Sequence, residues 1–133
     1  MKVKFWDPAL GYKEIKEEID TEMQSVLGRG DLILRGDVEI FEKKLAKYIG
    51  TKYAIGVNSG TDALFLSLKV VGVKEGDQVI TVSHTFIATI EAIIRCGAKP
   101  ILVDIRDDYL MDMDEVGKII TYNTRAIMPV HLS

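Results

Sequence analysis

Cysteine is almost absent from this sequence, with one residue, Cys96, in 133. A single thiol closes no internal disulfide and builds no metal cluster, and its neighbours Ile93, Ile94 and Gly97 mark it as a small buried hydrophobe. Histidine is nearly as scarce. His84 and His131 lie too far apart for the spacing of a zinc site, so no structural metal is expected. Neither sign of charge dominates: 17 Lys and Arg against 20 Asp and Glu leave a net charge of −3, and in the run 13–18, KEIKEE, the signs alternate as on a solvated helix face. No basic face for nucleic acid emerges. Long hydrophobic runs are missing too, since every apolar stretch is broken well short of a membrane span, and the opening MKVKFWDPAL lacks the apolar core and cleavage site of a signal peptide. The expectation is a cytoplasmic protein without a membrane partner. Internal repeats, low-complexity segments and linkers are also absent.

What is present suits one ordinary domain with a core: 47% hydrophobic and 28% charged residues. Residues 12–27 place Ile15, Ile19, Met23, Val26 and Leu27 three and four apart, a stripe on one helix, with Gly28-Arg-Gly30 as its end. A second amphipathic helix carries Val38, Phe41, Leu45, Tyr48 and Ile49 on one side and stops at Gly50. From residue 53 the pattern changes to alternation. The strand YAIGV (53–57) leads to a helix from Thr61, the turn Lys74 to Asp77 and the strand QVITV (78–82). A helix over TFIATIEAIIRC, a turn at Gly97 to Pro100, the strand ILVDI (101–105), a short helix within MDMDEVGKII and the strand RAIMPV (125–130) follow. Strands separated by helices mean parallel βαβ units, and near-continuous apolar strands mean a sheet covered on both faces. The predicted class is α/β with a mostly parallel sheet, N-terminal helices over 1–52 and a βαβ core over 53–133. The chain stops just past an apolar strand, where a parallel sheet would normally continue into a further crossover.

In such a sheet ligands gather beyond the carboxyl ends of the strands. The first end is Asn58-Ser-Gly-Thr-Asp62, five small or polar residues before an apolar helix. Its backbone N–H groups face outward at the positive end of the helix dipole, and Gly60 lets an anion approach the main chain, which suits a phosphate. A plain cap by Ser59 or Thr61, with Asp62 in the first turn, fits the same residues. The second end, Ser83 to Phe86, holds an aromatic at the opening of a helix, which reads either as a core ring or as the wall of a flat phosphorylated ligand's site. The third is Val130 to Ser133. His84 and His131 read as local hydrogen-bonding residues, since no nucleophile or carboxylate stands at a telling spacing. Asp104 would suit a dinucleotide ribose, but no G-x-G-x-x-G precedes it and it falls too late after residue 60; nor is there a G-K-[ST] for a nucleoside triphosphate.

Taken together, the runs Gly36 to Gly50, Ala54 to Leu64, Gly76 to Thr89, Gly97 to Asp104 and Thr124 to Leu132 resemble the N-terminal part of the DegT/DnrJ/EryC1/StrS family. That resemblance covers nearly all of the chain in order. It implies a pyridoxal 5′-phosphate-dependent aminotransferase of fold type I, in which this chain supplies part of the large domain. It also implies that Gly60, Thr61 and Asp62 form the cofactor's phosphate cup and that Phe86 stacks on the pyridine ring. Val82 departs from the proline many members carry before the serine, which would alter the stiffness of that loop.

By the same resemblance the substrates are a nucleotide-linked keto sugar and an amino-acid donor such as glutamate, and the enzyme is a homodimer with N-terminal helices at the interface. Family members are close to three times as long. The Schiff-base lysine and the aspartate that keeps the pyridine nitrogen protonated would lie beyond Ser133, so no catalytic residue is expected within the chain, which reads as an inactive N-terminal fragment. Two alternatives stand beside this one: a sugar dehydratase of the same family, with histidine in place of the lysine, and a non-catalytic partner-binding module that keeps the cup as a relic.

Overall fold

The structure is a computed structural model and describes residues 4–30, 33 and 36–131. It divides into two compact units, Met1–Gly56 and Val57–Ser133. The first is helical. Helix α1 (Pro8–Glu14) starts with proline at its first position, where no N–H is needed, and the Asp7 side chain accepts from the Leu10 N–H at 3.3 Å. Helix α2 (Lys16–Arg29) ends at Gly30 in the left-handed conformation, φ 69°. The single helix expected over 12–27 is therefore two, broken at Ile15, whose φ of −116° lies outside the helical range. Across the break, the Lys16 ammonium and the Tyr12 hydroxyl both donate to the Asp20 carboxylate. Helix α3 (Gly36–Ile49) stops at Gly50 as expected.

The apolar stripes of these helices stay largely open. No residue of α2 is buried, and Ala46 is the buried residue of α3. The expected strand at 53–57 does not form: among the described residues no strand pairs with it, and Tyr53 and Ile55 are exposed. A strand needs a neighbour's backbone for its ladder. The Gly56 N–H donates instead to the Glu42 side chain at 2.6 Å.

The second unit is the βαβ core. Helix α4 (Gly60–Val70) leads through the Lys74–Asp77 turn to strand β1 (Gln78–Val82), then α5 (Ile87–Arg95), β2 (Lys99–Val103), α6 (Met113–Ile119) and β3 (Thr124–Ile127). All pairing is parallel, in the order β2-β1-β3, with Ile80 beside Ile101 and Ile127, and Val82 beside Val103. Strand β1 lies exactly over the QVITV run. Strand β2 begins two residues before its apolar run and takes in Pro100, which a sheet tolerates on an edge strand. Strand β3 stops before Pro129, which has no N–H to donate.

Alternation along β1 sends side chains to two separate cores. On one face Val79 packs with Leu68, Val73, Ala92, Ile93 and Cys96 from α4, α5 and their connections. On the other, Ile80 and Val82 pack with Val103, Met111 and Val116 beneath α6. Reversing the direction of crossover from α5 to α6 puts the helices on opposite faces, so the centre of the sheet is covered on both sides. Buried Thr81 satisfies its hydroxyl by donating to the Met128 carbonyl at 2.9 Å. Among the described residues no helix is long and apolar enough to cross a membrane.

Candidate functional site

The carboxyl end of β1 and the start of α4 converge. Ser59, extended at φ −158° and ψ 159°, caps α4: its hydroxyl accepts from the Asp62 N–H at 3.1 Å and its carbonyl from the Ala63 N–H at 3.0 Å. The N–H groups of Gly60 and Thr61 belong to the first turn, where no intrahelical acceptor exists. They meet no acceptor among the described residues. A Cβ on Gly60 would find nothing within 4 Å and its φ is not positive, so neither packing nor backbone strain within the chain demands glycine there. What glycine leaves is open space before two free donors at the positive end of a helix.

That space is a concavity of about 470 Å³ whose wall includes Gly60, Thr61, Leu64, Phe86 and Thr89. A second hollow of about 480 Å³ shares Leu64, Phe86 and Thr89 and reaches Pro129 and His131 at the end of β3. Phe86, 73% exposed, stands between the two, so the core reading of this aromatic does not hold. It occupies the N-cap position of α5, where it offers no capping acceptor. Beneath it, the Thr85 and Thr89 hydroxyls share a hydrogen bond of 2.8 Å that ties the loop to the first turn of α5.

The cap and the open donors thus fall to neighbouring residues: Ser59 caps, and Gly60 and Thr61 stay open. Asp62 is not on the cavity wall. Its carboxylate accepts from the Arg95 guanidinium at 2.9 Å, and that bond first, with a hydrogen bond from Asn58 second, holds the carboxyl below the usual carboxylate range. His84 lies against the Tyr109 ring, centroids 6.1 Å apart, away from these hollows. Asp104 turns on its own loop, its side chain accepting from the Ile105 N–H at 2.8 Å. Cys96 is buried beside Phe65, as expected of a small hydrophobe. Leu132 and Ser133, the end of the third strand terminus, lie outside the described residues. Sequence reasoning missed Leu64, Thr89 and Arg95. The first two carry a faint signal, because helical spacing puts them one turn beyond Gly60 and Phe86. A smaller polar hollow of about 310 Å³ at the opposite ends of the strands is crossed by Arg125, which donates twice to the Val71 carbonyl.

The pattern of the DegT/DnrJ/EryC1/StrS aminotransferase family matches residues 13–133. The chain belongs to this family. Among its relatives is a dTDP-3-amino-3,4,6-trideoxy-alpha-D-glucose transaminase of Micromonospora megalomicea subsp. nigra, 44% identical over 99% of this chain and 36% of the relative. Among solved structures, DesV of S. venezuelae, in complex with a ketimine intermediate, superposes with a TM-score of 0.93 at 42% identity, covering 98% of this chain and 36% of that one. NtdA from Bacillus subtilis, with bound cofactor PMP, gives 0.85 at 37% identity over 90% of this chain and 28% of that one. The chain spans about a third of the length of these DegT/DnrJ/EryC1/StrS relatives, and its α/β fold is theirs over that third.

Proposed function

We propose that this chain is the phosphate- and ring-binding part of a pyridoxal 5′-phosphate-dependent aminotransferase that aminates a nucleotide-linked keto sugar, with an amino acid such as glutamate as donor. One observation carries the reading: two unsatisfied helix N–H groups, at Gly60 and Thr61, open into the same concavity as the exposed ring of Phe86. A phosphate suits the first and a flat aromatic suits the second. The residues therefore fit the cofactor that the family implies. When bound, the cofactor supplies the electron sink for moving an amino group.

The chain's own residues bind and orient. The N–H groups of Gly60 and Thr61, with the Thr61 hydroxyl, hold the phosphate; Phe86 offers a ring face; Leu64 and Ala88 keep water from the apolar flank. Asp62 takes no direct part in holding the phosphate, its N–H being held by Ser59 and its carboxylate by Arg95. Proton transfer and the covalent anchor belong to a lysine, and the pyridine nitrogen to an aspartate, both outside these 133 residues. In the same reading the N-terminal helices of 1–52 and the core of 53–133 are parts of one cytoplasmic enzyme. The open apolar stripes of α2 and α3 suit a homodimer contact.

The test is product formation by the protein that carries this segment. With glutamate and a nucleotide-linked keto sugar, the amino sugar and 2-oxoglutarate are expected in equal amounts by mass spectrometry. Cofactor binding without any amino product would contradict the aminotransferase reading.

A further inference from the structure

Asp62 raises an electrostatic difficulty. A carboxylate in the first turn of a helix is favoured by the same positive end of the dipole that an anion would use, and an acidic side chain at this third position can fold back onto the N-cap N–H beside it. A negative charge at that place would both compete with a phosphate and repel it. The structure holds it elsewhere. Arg95, the last residue of α5, reaches the carboxylate with Nη1 at 2.9 Å, and its guanidinium lies 4.4 Å from the centroid of the Phe65 ring, one turn along α4 from Asp62. Two contacts on α4 thus fix the guanidinium, one by charge and one by stacking. Asn58 helps Arg95 hold the same carboxyl below its ordinary range.

We infer that Arg95 is a positioning residue of the phosphate cup, which offsets the charge of Asp62 and keeps its carboxylate turned away from the start of α4. The inference rests on the cup proposed above and deepens it. Arg95 does not line the concavity; it meets Asp62 and Phe65, and acts on the cup through Asp62. Its removal therefore lowers phosphate recognition specifically, and removal of the carboxylate with it restores that recognition.

The experiment compares the affinities of pyridoxamine 5′-phosphate and pyridoxamine, by calorimetric titration, for wild-type protein, Arg95→Gln, Asp62→Asn and the double variant. Wild type prefers the phosphorylated ligand. Arg95→Gln is expected to lose about two- to fivefold of that preference, the size of one charge acting at a helix N-terminus, with pyridoxamine binding unchanged. The double variant is expected to regain the wild-type preference even though the Phe65 contact is still missing. Asp62→Asn alone, which leaves the fold's packing intact if Arg95→Gln does not fold, is expected to keep at least the wild-type preference. Wild-type protein that binds both ligands alike overturns the cup and this inference together. A wild-type preference that Arg95→Gln leaves unchanged, that the double variant fails to restore, or that falls in Asp62→Asn overturns the role of Arg95 and leaves the cup standing.

Discussion

Phe86 shows at the residue scale how a local rule yields to a site. Serine, threonine, aspartate or asparagine at an N-cap accepts a first-turn N–H, and phenylalanine cannot. Its ring is also exposed, so it contributes little burial. Phe86→Ser is therefore expected to stabilise the fold by about 0.5–1 kcal/mol, read as a raised melting temperature, while weakening pyridoxamine 5′-phosphate binding. A lower melting temperature with unchanged affinity would return Phe86 to the core. Thr61→Val removes one hydroxyl from the cup and is expected to weaken the same ligand by about 1.5–3 kcal/mol, measured by titration; unchanged affinity would take Thr61 out of the site. Asp62 adds a dependence on pH. Its carboxyl is lowered from 3.8 chiefly by Arg95, so the stability this pair contributes is present above that value and is lost as pH falls below it through the folded-state value. The stability gap between wild type and Arg95→Gln is accordingly expected to narrow on acidification below pH 3.8 in denaturant titrations. A gap that widens there would contradict the assigned cause.

At the scale of elements, α5 packs one face on the sheet and leaves the other wet, and two adjacent isoleucines separate the faces. Ile93 is fully buried and Ile94 is exposed. Ile93→Ala is expected to cost about 2–5 kcal/mol of stability and Ile94→Ala well under 1, by chemical denaturation. Similar losses would mean that the helix is rotated from the orientation described. The same physics decided which elements were legible beforehand. β1 and α3 announce themselves through local pattern, an apolar run between turn residues and a stripe ended by glycine; the structure adds to α6 a cap by Asp112, whose side chain accepts from the Asp114 and Glu115 N–H groups. The segment 53–57 has the composition of a strand but no partner among the described residues, and pairing is a non-local property that composition does not carry. The break at Ile15 leaves no mark in the pattern because Ile15 itself continues the helical spacing. In the site, Phe86 was visible because it sits at a strand-to-helix turn, and Gly60 and Thr61 because they open an apolar helix behind a capping serine. Arg95 was not, because 33 residues separate it from Asp62 and only the packing of α4 on α5 joins them.

Over the whole molecule, the core is asymmetric. Apolar side chains fill both faces of β1, yet Leu102 and Ile127 on the flanking strands remain partly open, and Phe41, Leu27 and Met23 in the helical unit are exposed. Surfaces of that kind associate. Gel filtration with light scattering is expected to show species larger than 14.9 kDa; a clean monomer at high concentration would mean that these faces are self-sufficient. The central claim, though, is that the turn from Ser59 into α4 holds the phosphate of a flat aromatic cofactor against Phe86. It is tested most directly by titrating the protein with pyridoxamine 5′-phosphate and with pyridoxamine under the same conditions. Two N–H donors and a hydroxyl reserved for a phosphate give a preference of at least about tenfold for the phosphorylated ligand, reversible by inorganic phosphate. Equal affinity for the two ligands, or binding that phosphate does not displace, would contradict the account.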